Sequence, residues 1–396
     1  MKILVPSVCK EIIVPCINTD NLLYVKTYSL HDKEVIKIDR NIGYYAKENV
    51  DYDFFYIQFS NADSFSMFSI DDIVSKDILD RVRDKKVFLV LDNGLEHFYE
   101  CADAIYRDIV IKYNIPAEQI IFLSAVPTMN THVAQLAKKL KLPEIKVDWF
   151  SLFEATGKHA GKQGVVALPK KKRYTKKFLN LNRRWRLHRP LLITLLKSRN
   201  LLDEGYISFA PSDDGHNWNT VYPRLQAMYN NHNRISKILS DNADVKNLKP
   251  MYLDTEDLVT NRAIHEDSIS KYYVETYFSI VSETTYHEGT PFLSEKIFKT
   301  IAMGHPFIIV TAPNSLQYLK ALGYKTYSPF IDESYDSIQD DGDRMLAILD
   351  EVEKLCSMPE KVLRKKWLPN VRTIANHNRK LIMRKRDHNL SKPMNY

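Results

Sequence analysis

Glycine is scarce in this chain, with 11 in 396 residues, less than half the average share of about 7%. Neither G-x-x-x-x-G-K-[ST] nor G-x-G-x-x-G occurs. A Walker-type nucleotidase and a standard dinucleotide-binding dehydrogenase are therefore excluded. Phosphate, if bound, must be held by side chains and helix ends. Only four cysteines are present, Cys9, Cys16, Cys101 and Cys356. They show no metal-ligand spacing and no disulfide framework, which points to reduced thiols. Long apolar runs are missing too: stretches such as residues 306–310 fall far short of the ~20 a membrane span requires. The apolar run at residues 3–9 is short and is followed by Lys10 and Glu11, so no leader is expected. A cytoplasmic chain without a membrane partner is the expectation. Acids are absent from two long segments. Residues 157–189 hold twelve Lys or Arg and no Asp or Glu, and residues 361–386 hold ten and none. Residues 332–353 are the converse, with nine acids and one Arg, and read as a solvated acidic stretch. Segregation of this kind suits a face that meets phosphates, within a modest net charge of +7.

What is present is enough for a sizeable core: 44% of residues are apolar and 27% charged, and the length suggests two domains. Residues 87–91 form a continuous apolar run ending at Asp92-Asn93-Gly94, the pattern of a buried parallel strand feeding a turn. A helical period follows over residues 96–113, then an apolar run at 120–124, a helix at 131–140 and a strand at 145–147. This β-α-β-α-β series predicts an open parallel sheet covered by helices. Residues 157–172 contain Gly157, Gly161, Gly164 and Pro169 and lead into a basic run at 170–173, which marks a boundary. A second series runs through strands at 177–182, 206–209, 277–281 and 307–311, with helices at 189–199, 222–229, 294–302 and 314–321. The expected domains are residues 1–165, residues 166–368, and a C-terminal helix in 369–396 that can cross back to the first domain.

Ligands of open α/β sheets bind beyond the carboxyl ends of strands. The segment after the 277–281 strand is Ser282-Glu283-Thr284-Thr285-Tyr286-His287 and onward to Leu293, a long polar and aromatic loop. It enters Ser294-Glu295-Lys296, where Ser294 is an N-cap and the first turn offers free N–H groups to an anion. Lys296 opposes the helix dipole there, a placement explained either by an anion between the two or by simple exposure.

These residues resemble the nucleotide-sugar site of GT-B glycosyltransferases, and most of all the α-1,3-fucosyltransferase pattern. That pattern runs Phe-Glu-Asn, a variable loop, Thr-Glu-Lys, a helix, and a strand that starts with Pro. Here it reads Ser282-Glu283-Thr284, the loop, Ser294-Glu295-Lys296-Ile297-Phe298, and then Gly304-His305-Pro306-Phe307. Ser282 stands for Phe, Thr284 for Asn and Ser294 for Thr. The likeness spans about 60 residues, or about 90 with the basic segment before it. It implies an α/β, GT-B-like fold of two Rossmann-like domains facing each other across a cleft. It also implies that Glu295 binds the nucleotide ribose and Lys296 the phosphates, with Glu283 and Ser294 in the same donor site. An Arg of the preceding basic segment would bind phosphate; Arg189 matches best, with Arg183, Arg184 and Arg186 as rivals. The composite is similar to glycosyltransferase-like proteins of tailed phages and giant viruses, which would place the chain in an infected host cell. Phage enzymes that glycosylate DNA bases share the layout.

The resemblance thus implies transfer of a sugar from a nucleotide sugar to a hydroxyl, with a hydroxylated or hydroxymethylated pyrimidine of phage DNA as acceptor. No metal or other cofactor is expected, because Arg, Lys and helix dipoles can neutralise the leaving diphosphate. Asp51-Tyr52-Asp53 and Asp341-Gly342-Asp343 have Asp-x-Asp spacing, but the first follows no strong strand and the second lies in the acidic stretch. A base for the acceptor is expected from the first domain, at Asp92 or Glu96, although Asp92 also suits a turn cap and Glu96 a helix start. Trp185 and His287 are the candidates for acceptor contact, Trp185 by stacking within the basic segment. Two other acceptor classes stay open, a glycan or protein and a small molecule. So does a nucleic-acid-binding protein without catalysis. A phosphoesterase would need clustered metal carboxylates or histidines, and the sequence offers none at suitable spacing.

Overall fold

The computed structural model describes residues 2–6, 34–38, 54–58, 76–93, 100–126, 128–149, 153–154, 157, 174–182, 184–209, 216–253, 270–287 and 291–384. The chain divides into two compact units, Met1–Ala155 with Lys385–Tyr396, and Thr156–Arg384.

Among the described residues the first unit is built on six parallel strands: β1 (Lys2–Pro6), β2 (Glu34–Ile38), β3 (Phe54–Gln58), β4 (Phe88–Asn93), β5 (Ile120–Ser124) and β6 (Lys146–Trp149). Their order is β2-β1-β3-β4-β5-β6. Helices α1 (Lys76–Arg83), α2 (Glu100–Ile105, running on as a π-turn to Ile111) and α3 (Met129–Leu140) accompany them. β4 and β5 are buried along nearly their whole length, as strands covered on both faces must be. Tyr106 ties the unit together, its hydroxyl donating to the Pro143 carbonyl and accepting from the Ile145 N–H, both at 3.0 Å. A classic Rossmann sheet runs 3-2-1-4-5-6, and this sheet departs from it. Only β2 lies beyond β1, the flavodoxin-type arrangement.

Among the described residues the second unit carries four parallel strands, β7 (Phe178–Leu181), β8 (Gly205–Ser208), β9 (Phe278–Ser282) and β10 (Phe307–Val310), in the order β10-β9-β7-β8. Its helices are α4 (His188–Ser198), α5 (Trp218–Met228), α6 (Asn233–Asp241), α7 (Ser270–Glu275), α8 (Glu295–Ala302), α9 (Ser315–Ala321), α10 (Asp341–Ser357) and α11 (Leu368–Arg384). α4 is buried without a break from His188 to Leu196. A helix apolar on all sides belongs inside a core, and Pro190 is tolerated in its first turn. α10 packs on α4 and β10, and α11 packs on α8.

α10 corrects one expectation. Residues 332–353 are not a solvated acidic stretch. Met345, Leu346, Ile348, Leu349, Val352 and Leu355 recur at helical spacing and are buried. The acids mask this period in composition: Asp340 is the N-terminal cap, and Asp343 and Asp350 lie on the exposed face.

β7 is the first strand of its unit, β8 adds on one side and β9 on the other. The chain therefore reverses direction across the sheet between β7 and β9. Ligands of doubly wound sheets bind at such a switch point, beyond the strand C-termini. The ladder itself opens there. β7 and β9 pair through Phe178–Phe278 and Leu179–Ser279 only. Beyond that, the buried Asn180 side chain bridges the strands, its amide donating to the Ile280 carbonyl at 2.7 Å.

Candidate functional site

The C-terminal ends of β7 and β9 bring the basic segment and the polar loop together. Arg189 enters from the first turn of α4 and is only 3% exposed. It donates through Nη1 to the Arg184 carbonyl at 2.8 Å, and through Nη2 to the carbonyls of Ser282 at 3.2 Å and Glu283 at 3.1 Å. Its Nε is buried and has no hydrogen-bond partner. Among the described residues no carboxylate lies within ion-pair distance of it. Burial pulls the guanidinium down to about 10, against the favourable charge of Glu283, so it stays charged at neutral pH. Buried charges are costly unless paired. Neutral carbonyls are all that Arg189 has.

Its neighbour His188 is also buried, with Nε2 3.0 Å from the Glu283 carbonyl and its ring stacked on Tyr286. Burial and the Arg189 charge hold this imidazole well below its ordinary range. It is neutral, and Nε2 carries the proton that reaches the carbonyl. Asn182, at the end of β7, adds a buried amide oxygen without a partner.

Glu283 joins the two halves of the site. Its backbone carbonyl serves Arg189 and His188, and its carboxylate caps α8. Oε1 accepts the N–H groups of Ser294 at 3.2 Å and Ile297 at 3.3 Å, while Oε2 accepts the Ser294 hydroxyl. Burial raises the carboxyl, and Lys296 and the Ser294 hydroxyl oppose the rise. Ser294 is the N-cap, as its position predicts, and its Oγ accepts the Lys296 N–H. The Lys296 ammonium reaches Ser294 Oγ and Glu295 Oε1 at 2.9 Å and Thr284 Oγ1 at 3.3 Å. A lysine in this first turn thus has anions of its own, Glu283 and Glu295, and needs no phosphate to explain it. Arg189 is buried without a counter-ion among the described residues.

A second cluster adjoins the first. His287 Nδ1 lies 2.7 Å from Asp341 Oδ2, while Arg344 Nη2 donates to Asp341 Oδ1 at 2.5 Å. Burial alone would raise the Asp341 carboxyl, but the bonds from His287 and Arg344 outweigh it and hold the group below its ordinary range. Arg344 is fully buried, lies over the Tyr286 ring and donates to the Tyr286, Thr311, Ile338 and Gln339 carbonyls. The Tyr286 hydroxyl donates to the Asp341 carbonyl at 2.7 Å.

The structure therefore gathers Arg189, Glu283, Ser294, Glu295 and Lys296 at one edge, with exposed Arg184 and Arg186 beside Arg189. Arg183 and Glu96 lie outside the described residues, as does the Asp51-Tyr52-Asp53 run. Trp185 is placed differently from expectation. It is 5% exposed and packs on Phe209 and Trp218 at centroid distances of 4.4 and 5.1 Å. Bulk and apolarity draw this ring into the core, so it has no open face for stacking. Asp92 is the fifth residue of β4 and is 1% exposed, in the first unit. His188, Asn182, Tyr229 and Arg344 belong to the site region and are not singled out by sequence reasoning, and Asp341 enters it only through its Asp-x-Asp spacing. His188 adjoins the candidate Arg189, which is the one available signal.

One group of metal-ligand type occurs among the described residues. His232, Asp340 and Asp343 bring ligand atoms within 4.8 Å of one another. Asp340 caps α10 by accepting the Asp343 N–H at 2.8 Å, and His232 Nε2 lies 3.5 and 3.3 Å from the two carboxylates. Helix capping and ion pairing account for this group. No helix among the described residues is long and apolar enough to cross a membrane.

No known family profile matches the chain, and no curated protein does. Among solved structures, a glycosyltransferase from Rickettsia africae ESF-5 is similar over 97% of this chain and 96% of that one, at 12% identity and a TM-score of 0.46.

Proposed function

We propose that the chain transfers a sugar from a nucleotide-sugar donor to a hydroxyl acceptor, and that the second unit holds the donor. The observation that carries this reading is Arg189, a buried guanidinium with an unpartnered Nε and only neutral acceptors, at the switch point between β7 and β9. An anion that reached it would replace a costly unpaired charge with a charge-assisted hydrogen bond. A nucleoside diphosphate fits in charge and position. Lys296, tethered at the start of α8, would add a second cation and Glu295 would accept from ribose hydroxyls. As the bond to the sugar breaks, charge grows on the diphosphate, and cations fixed beforehand stabilise it without reorganisation. No metal is assigned a part. The acceptor's base is assigned to the first unit, near the end of β4 where Asp92 stands.

For the acceptor we put forward a nucleic acid, such as the hydroxylated or hydroxymethylated pyrimidine that the phage resemblance implies. Support comes from charge alone: Lys361, Arg364, Lys365, Lys366, Lys380 and Arg384 are exposed in a segment without acids. Contact with several phosphates weakens steeply as salt rises. Absence of DNA binding at low salt would remove this acceptor and leave the transferase reading standing.

The donor reading is tested with a panel of nucleotide sugars, following thermal stabilisation and release of the nucleoside diphosphate. At least one nucleotide is expected to stabilise the protein and to be released from its sugar conjugate. A flat response across UDP, GDP, ADP and CDP conjugates would overturn the reading.

A further inference from the structure

The donor site proposed above leaves two buried polar atoms beside it unexplained. His287 Nε2 and the Tyr229 hydroxyl have no hydrogen-bond partner, and Tyr229 is 4% exposed. Buried polar groups are nearly always hydrogen-bonded, and each exception asks for a cause. These two belong to one neighbourhood. Their ring centroids are 6.5 Å apart, and the Tyr229 hydroxyl feels the charges of Asp341 and Arg344, the same pair that holds His287.

The chemistry of His287 is fixed by its other nitrogen. Asp341 is held below its ordinary range and accepts at 2.7 Å from Nδ1, which selects the tautomer with the proton on Nδ1. Nε2 then presents a lone pair, an acceptor that asks for an O–H or N–H donor. Tyr229 offers one O–H and can also accept. Nearby charged groups already have partners. Arg344 is saturated by carbonyls and Asp341; His188, its ring centroid 6.1 Å from that of His287, has Nε2 committed to Glu283, and His232, 6.4 Å from the Tyr229 ring, accepts from the Ile235 N–H through Nδ1 and faces Asp340 and Asp343 through Nε2. The pair therefore suits a neutral hydroxylated group and not an anion. It also lies next to Arg189 through His188, on the loop whose first residue, Glu283, binds Arg189. A sugar joined to a diphosphate at Arg189 must place its hydroxyls adjacent to that cation.

We infer that His287 Nε2 and the Tyr229 hydroxyl form the hydroxyl-recognition subsite for the donor sugar, with His287 accepting from one sugar hydroxyl and Tyr229 bonding the same or the neighbouring one. The inference rests on the nucleotide-sugar reading and adds to it the group that distinguishes a sugar conjugate from the bare diphosphate.

The test is isothermal titration of the full chain with UDP and UDP-glucose and with GDP and GDP-fucose, comparing wild type, His287→Asn, His287→Gln and Tyr229→Phe. An Asn amide stands where Nδ1 does and keeps the bond to Asp341 while losing the acceptor. A Gln amide oxygen reaches the Nε2 position and restores it. The expected result has three parts. Diphosphate affinity is equal in all four proteins. The extra affinity of the sugar conjugate falls about five- to tenfold in His287→Asn and Tyr229→Phe, the value of one buried hydrogen bond. His287→Gln keeps it. If diphosphate binds wild type but the sugar increment is the same in every variant, the two atoms share only a buried water and the subsite is wrong. If Asn retains the increment and Gln loses it, His287 serves Asp341 alone, and the subsite is again wrong. If wild type binds no diphosphate, the donor reading fails and takes the subsite with it, an outcome distinct from the other two.

Discussion

Arg189 donates to the backbone carbonyl of Glu283 at 3.1 Å, so the residue that follows β9 holds the cation that follows β7. The same Glu283 uses its carboxylate to cap α8, where Lys296 stands. One residue thus sets the separation of the two cations assigned to a diphosphate. Both bonds lie within the second unit, so this geometry belongs to that unit alone.

Ser294 is the link most open to a stability measurement. Ser294→Ala removes the N-cap oxygen and one donor to the buried Glu283 carboxylate. A cost of about 1–3 kcal/mol is expected in urea unfolding. Ser294→Thr keeps the hydroxyl and should recover most of it.

His188 predicts a pH dependence with a definite sign. Its folded-state value lies well below its ordinary one, chiefly through burial. The unfolded chain therefore binds a proton that the folded chain refuses. Stability from this group is complete above pH ~6.5 and is lost as pH falls below it, by up to about 1.4 kcal/mol per unit. Melting temperatures from pH 7.5 to 5 should fall less steeply in His188→Gln than in wild type. Equal slopes would remove His188 from the account.

Gly342 is needed for space. A Cβ there would lie 2.3 Å from the His232 ring, the ring that faces Asp340 and Asp343. Gly342→Ala should destabilise the protein, and His232→Ala should relieve much of that cost, giving a coupled double-mutant cycle. Additive effects would contradict the close approach.

Trp185 separates a core role from a binding role. Trp185→Ala is expected to cost about 3–5 kcal/mol through the cavity left against Phe209 and Trp218. Trp185→Phe should fold and bind every ligand as wild type does. Loss of acceptor binding in a stably folded Trp185→Phe would restore the stacking role.

Local pattern made part of this legible in the sequence. The buried strands β4, β5, β9 and β10 are short apolar runs, and Ser294 marks the start of α8, so the loop–helix–strand at the site is readable within a residue or two. The strands β1 to β3 are readable only with hindsight, because no clear helical period separates them. α10 was hidden by its acids. The cap that Glu283 places on α8 joins residues 11 apart in sequence, and His287 meets Asp341 at a separation of 54. Such pairings are fixed by how the strands are ordered in the sheet, which no local spacing encodes. Burial likewise decides between Arg189 and its exposed neighbours Arg184 and Arg186, a choice that their shared charge leaves open.

The central claim is that Arg189 awaits a diphosphate, and titration of UDP and GDP into wild type and Arg189→Met tests it most directly. Arg189→Met removes an unpaired buried charge but also the donor of three carbonyl hydrogen bonds, so its melting transition is measured beside its affinity. The account predicts that Arg189→Met keeps a cooperative melting transition yet binds diphosphate at least tenfold more weakly, as loss of a charge-assisted hydrogen bond requires. Diphosphate binding unchanged in a stably folded Arg189→Met, or undetectable in wild type, would contradict it.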